Sequence, residues 1–111
     1  MTDALANPVA DRPEAARKAD DRLRLFDALL ALETREAAEA FLTDLCTPAE
    51  VRAFAERWAV ARLLDQGGRS YREIACAAGA SPTTVVRVAR FLKEMPHQGY
   101  RLVLDRLHPK A

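Results

Sequence analysis

Three observations predict an all-α fold of about six helices for this chain. Half of its 111 residues are apolar but only 6% are aromatic, and the dominant apolar residues, Ala and Leu, are strong helix formers. Apolar residues recur three and four positions apart over most of the chain, which is the spacing of one helix face. Thr34, Thr47, Ser70 and Ser81 each stand directly before such a run, where a side-chain oxygen can accept a hydrogen bond from an unpaired N–H of a first helical turn. The length suits one domain, and the adjacent valines Val85 and Val86 lie inside a capped helical pattern, leaving no strand signal.

Residues 1–13 are polar, contain Ala and Pro without periodicity, and read as a disordered tail ahead of a helical domain over residues 14–111. From Glu14 the pattern becomes helical: Leu23, Phe26 and Leu30 form one apolar stripe, and Leu25, Leu29 and Leu32 another. Two stripes imply burial on two sides, and in a chain this short a second copy is the natural source of the second cover. A homodimer is therefore expected. A short helix over residues 35–45 follows, capped by Thr34, with Ala38, Phe41, Leu42 and Leu45 facing inward. Thr47 and Glu50 form a capping box with Pro48 at the first helical position. The helix they open runs to about Gln66, turning Val51, Phe54, Trp58, Ala61 and Leu64 inward, and stops at Gly67 and Gly68, where glycine can adopt the left-handed conformation. Ser70 and Glu73 are a second capping box, opening a short helix that Gly79 ends after Ala78. Ser81 and Pro82 start a helix to about Glu94, closed by Pro96. The last helix spans about Gln98 to Leu107, with Tyr100, Val103, Leu104 and Leu107 on one face.

The net charge of +1 conceals an uneven distribution. Residues 1–56 carry seven Lys/Arg against twelve Asp/Glu, whereas residues 57–111 carry ten against four. A basic C-terminal half points to a polyanionic partner on that side. Cys46 and Cys76 lie far apart without a CxxC pattern and read as reduced, buried small hydrophobes of a cytoplasmic protein. No apolar run approaches the roughly 20 residues of a membrane span, and the N-terminus lacks the apolar stretch of a signal peptide. An enzyme is not expected. His97 and His108 stand at helix ends with no second metal-ligating residue at helical spacing, Glu50 and Glu73 are explained by capping, and no HExxH, phosphate-loop or Ser/His/Asp pattern occurs. No metal or cofactor is implied.

Residues 71–90 carry the functional signal. A helix-turn-helix needs a small residue where its helices cross, a glycine in the turn and apolar residues that lock the crossing. Ala75 is the small residue, Gly79 supplies a turn where positive φ is tolerated, and Ile74, Ala78, Ala80, Val85 and Val88 fill the apolar positions. In the second helix, with Ser81 as cap, the inward direction of Val85 and Val88 leaves Pro82, Thr83, Thr84, Val86, Arg87 and Arg90 facing outward. This is the pattern of a recognition helix, whose N-terminal residues meet base edges in the major groove of double-stranded DNA. Thr83 and Thr84 offer a hydroxyl and a methyl group for that purpose, while Arg69 and Arg72, assigned to the preceding helix, suit phosphate contacts. Over residues 69–94, five basic residues face two acidic ones. Arg101, Arg106 and Lys110 read as an ordinary solvated helix face.

The run Cys46 to Glu50 (CTPAE), then Arg57, Gly67, Ser70 to Ile74 (SYREI), Gly79, Ala80, Thr84 and Arg87 resembles the Trp repressor superfamily without a gap. Phe26 to Leu29 (FDAL), Phe41 to Cys46 (FLTDLC), Arg57 to Arg62 (RWAVAR), Ala80 with Ser81, and Gly99 to Leu104 (GYRLVL) are similar to its YerC/YecD branch of TrpR-related proteins. The resemblance covers about residues 20–107. It implies an intertwined homodimer of six-helix subunits acting as a transcriptional regulator, usually a repressor. Its two recognition helices would bind a palindromic operator with half-sites about one helical turn apart.

The resemblance also bears on a ligand. Arg57 and Arg87 match the two arginines that sandwich the indole of tryptophan in the Trp repressor. Val88, however, stands where the family has a glycine that makes room for the indole, and Phe91 where it has a serine that helps hold the amino group. Val88 and Phe91 are expected to occupy much of that pocket, so tryptophan is not expected to bind, and Arg57 is free to pair with a carboxylate or contact a partner subunit. The alternative to DNA binding is a helical dimer whose helix-turn-helix docks a protein. Such a surface would usually expose apolar residues rather than Arg87 and Arg90.

Overall fold

The computed structural model describes residues 13–108. Residues 1–12 of the expected disordered tail, and Lys110 of the expected solvated face, lie outside the described residues. Six helices follow in order: α1 (Glu14–Leu30), α2 (Arg35–Leu45), α3 (Pro48–Gln66), α4 (Tyr71–Ala78), α5 (Pro82–Lys93) and α6 (Gly99–Leu107), and no strand occurs among the described residues. The chain divides into two compact units after Leu45.

The first unit holds α1 and α2. Helix α1 begins behind Pro13, which fixes an extended entry, and carries the i, i+4 ion pairs Glu14–Lys18 (3.0 Å) and Asp20–Arg24 (2.9 Å). It ends at Leu30, so Leu32 lies beyond it and the second expected stripe is one residue shorter. Leu23, Leu25, Phe26, Leu29 and Leu30 are all exposed, Leu30 by 81%. Thr34 caps α2 as expected, its hydroxyl oxygen accepting from Ala37 N–H at 3.0 Å. Of the residues expected to face inward, Ala38, Phe41 and Leu42 are partly covered, but Leu45 is exposed.

The second unit is built around α3, against which α4, α5 and α6 pack. Helix α3 opens on the Thr47–Glu50 box, in which Glu50 N–H donates to the Thr47 hydroxyl and Thr47 N–H to the Glu50 carboxylate. Its end differs from expectation. Gly67 has positive φ (76°) but an extended ψ of 179°, a region essentially restricted to glycine and distinct from the left-handed helix. The core consists of Val60 and Ala61 from α3, Ile74 and Ala75 from α4, and Val85 and Val88 from α5, flanked by Trp58, Leu64, Ala78, Ala80 and Tyr100. Ala89, Leu92 and Leu104 are also buried. Phe54, Val103 and Leu107 share stripes with buried residues but are themselves exposed; α3, at 19 residues, outruns each of the shorter helices packed on it within this unit.

Candidate nucleic-acid interface

Helices α4 and α5 are joined by three residues, Gly79, Ala80 and Ser81, and form a helix-turn-helix. Ser70 and Glu73 close the capping box that starts α4, with bonds of 3.1 and 2.8 Å. At its other end Gly79 adopts the left-handed conformation (φ 66°, ψ 29°). Ala80 N–H donates to Ala75 C=O at 3.0 Å and Gly79 N–H to Cys76 C=O at 3.3 Å, the two bonds of a Schellman termination. The crossing is locked as the sequence predicts: Ile74, Ala75, Val85 and Val88 are buried, with Ala78 and Ala80 against them. Neither cysteine is buried as expected: Cys46 is only partly covered, and Cys76 is exposed because the α4 positions facing the core are Ile74, Ala75 and Ala78 and Cys76 lies on the opposite side; both are free thiols.

The outer face of α5 presents Pro82, Thr83, Val86, Arg87 and Arg90, all exposed. Thr84 departs from this set. It is half-buried, its N–H donates to Ser81 Oγ at 3.1 Å, and its hydroxyl lies 3.0 Å from the same oxygen. One of the Ser81 and Thr84 hydroxyls thus donates to the other, and the pair holds the helix start. Arg72 is exposed in the first turn of α4, whereas Arg69 precedes that helix in the link after Gly68 and donates to Gln66 Oε1 at 3.1 Å. Lys93 Nζ lies 5.9 Å from the Tyr71 ring centre, joining the end of α5 to the start of α4. Periodicity gave no sign of that pair, since it spans two helices.

Beside α5 lies a cavity of about 520 Å³ whose walls include Arg57, Arg87 and Phe91, with Phe54, Trp58, His97 and Tyr100. Val88 is not on that wall; it is fully buried in the core, so its branched side chain does not fill the cavity as the sequence suggested. Phe91 does form part of the lining. The Arg87 guanidinium sits 4.4 Å from the Phe91 ring centre, and His97 is stacked on the same phenyl group at 6.1 Å and 12°. Trp58 and Tyr100 stack at 6.3 Å. Arg57 lies 5.9 Å from the Phe54 ring and makes no ion pair among the described residues.

Arg101 is not the solvated cation that its position suggested. It donates to Asp65 of α3 at 2.8 Å and to Asp105 at 3.0 Å, fastening α6 to the helix before the motif. The bond to Asp65 holds its guanidinium above the ordinary arginine range, with Asp105 adding to this and burial opposing it. Among the described residues no three His, Cys, Asp or Glu side chains gather to hold a metal, and no helix is long and apolar enough to cross a membrane.

The family model described as Trp repressor protein matches residues 21–108, which include every helix of the second unit and most of α1. The chain belongs to the Trp repressor family. Its relatives in this family include YerC of Bacillus subtilis (strain 168), an uncharacterised protein 38% identical over 84 residues, covering 76% of this chain and 79% of that one. Two solved structures have the same fold. One is a Staphylococcus aureus protein provisionally assigned as a Trp repressor, with a TM-score of 0.72 at 32% identity, covering 100% of this chain and 97% of the other. The second is a TrpR-like protein from Eubacterium eligens ATCC 27750, also with a TM-score of 0.72, at 36% identity over 79% of this chain and 89% of that one. The Trp repressor family and fold are those of non-enzymatic regulators.

Proposed function

We propose that this Trp repressor family member is a cytoplasmic, dimeric transcriptional regulator, a repressor, that binds a palindromic operator in double-stranded DNA through its helix-turn-helix. The observation that carries the reading is the outer face of α5. A capped helix, rigidly crossed on α4, presents Thr83, Arg87 and Arg90 to solvent while Val85 and Val88 anchor it from behind. Thr83, Pro82 and Val86 stand near the helix start, where side chains reach base edges in the major groove. Arg72, Arg69 and Arg90 supply phosphate contacts, which fix position and add affinity without reading sequence, and Arg87, held on the Phe91 ring, adds positive charge to the same face. Ser81 and Thr84 serve by shaping the start of the helix.

The exposed apolar residues of α1, Leu23, Leu25, Phe26, Leu29 and Leu30, take a second copy as their cover, giving the two-fold symmetry that a palindromic operator requires. Binding does not depend on tryptophan in this reading. The phenyl ring of Phe91 stands on the cavity wall, and the Arg87 guanidinium already stacks on it at 4.4 Å.

Incubation of the protein with fragmented genomic DNA at near-physiological salt, followed by sequencing of the bound fragments, tests this. An enriched inverted repeat with half-sites about a helical turn apart is the expected result. Weak binding without enrichment, vanishing steeply as salt rises, would leave only attraction to phosphates and overturn the reading.

A further inference from the structure

We infer that the recognition helix reads its half-site mainly through thymine methyl groups, with Val86 as the specificity-determining residue; this rests on the DNA-binding reading above. The inference follows from asking which side chains on the outer face of α5 remain available to a base edge. The Ser81 and Thr84 oxygens are held against the helix start, 3.0 Å apart with one hydroxyl donating to the other; Ser81 Oγ also accepts the Thr84 N–H, and Thr84 is half-buried. Arg87, which could address a guanine through two parallel bonds, has its guanidinium 4.4 Å from the centre of the Phe91 ring, turned along the helix toward the cavity. What remains over the first turn and a half is Pro82, the hydroxyl and methyl of Thr83, and Val86, which is 57% exposed.

Pro82 and Val86 are four residues apart and therefore lie on one line along the helix, with Thr83 beside them. Together they make a small apolar ridge at the end of the helix expected to enter the groove. A ridge of pyrrolidine, methyl and isopropyl groups has a single complement among major-groove features, the C5-methyl of thymine; the other edges present donors or acceptors that it cannot satisfy.

The test uses the duplex recovered from genomic DNA and replaces each thymine in turn with deoxyuridine, which removes one methyl group and leaves every hydrogen-bonding group in place. Wild-type protein and Val86→Ala are titrated on the whole set. Val86 is exposed, so the substitution leaves the core intact, and a thermal melt checks this. The expected result is a loss of about three- to fourfold for each methyl removed at one or two thymines per half-site. Val86→Ala should weaken the thymine duplex by a similar factor and become indifferent to deoxyuridine at the position that Val86 covers. If wild type binds the site specifically but no deoxyuridine matters, while replacing guanine N7 with carbon abolishes binding, the ridge reads nothing and the inference falls with the DNA reading intact. If no duplex is bound specifically, the DNA reading fails and the inference with it.

Discussion

The guanidinium carbon of Arg87 lies 4.4 Å from the centre of the Phe91 ring, one helical turn further along α5. This stack places on one helix a residue that faces outward with Thr83 and Arg90 and also walls the cavity shared with Arg57. Such a cation–π contact contributes about 0.5–1 kcal/mol at an exposed site, enough to bias the arginine toward the ring and away from a phosphate. Phe91→Ala should release Arg87, leave the fold in place because the phenyl group is only partly covered, and strengthen salt-dependent DNA binding. A log–log plot of affinity against salt, steeper for the variant by up to about one phosphate contact, is the measurement. An unchanged slope would mean that the stack does not restrain Arg87.

Thr83 and Arg72 should fail in different ways. Thr83→Ala should relax preference at one base position by about 1–3 kcal/mol, since it removes an exposed hydroxyl from the first turn of α5. Arg72→Ala should weaken all duplexes alike and reduce the salt slope by about 1. Parallel titrations on matched and mutated operators separate the two, and identical behaviour would show that the roles are misassigned.

Gly67 and Gly79 are tested by their backbone angles alone, because a Cβ built at either position meets nothing within 4 Å. Gly79→Ala must hold a left-handed residue and should destabilise by roughly 1–2 kcal/mol. Gly67→Ala, at φ 76° and ψ 179°, sits in a region that L-residues enter less readily and should cost about 1–3 kcal/mol, the larger of the two. Urea unfolding measures both, and equal stability of either variant to wild type would contradict the assigned turns.

Arg101 ties α6 to α3 through Asp65, and Arg101→Ala should lower the melting temperature. The sign of its pH dependence follows from the raised guanidinium value. A cation whose folded value is raised contributes stability below its unfolded value and loses it only as pH climbs through the folded one, here in strongly alkaline solution. The difference in melting temperature between wild type and variant should therefore stay constant from about pH 6 to about pH 9.

The limits of helices were largely legible in the sequence because they are written in short-range chemistry. Thr47 with Glu50, and Ser70 with Glu73, form their capping boxes, and α2, α3 and α4 begin where these signals place them. Gly79 and the apolar lock of the helix-turn-helix follow from the same kind of reasoning. What the sequence concealed depends on what covers a face. Leu45, Phe54, Val103 and Leu107 share a helical period with covered residues yet are exposed, since periodicity marks a stripe and not its partner. At the site, Val88 was legible as a core residue but its distance from the cavity was not. Nor was the Ser81–Thr84 bond, which depends on rotamers, or the Arg101–Asp65 bridge, which spans 36 positions.

The most direct test of a dimeric operator-binding regulator is a fluorescence anisotropy titration at about 0.15 M salt. It would compare the recovered inverted repeat with a scrambled duplex of the same composition. The account predicts saturation at two chains per repeat, with the scrambled duplex bound at least about a thousandfold more weakly. Equal affinity for the two duplexes, falling together as salt rises, would contradict it.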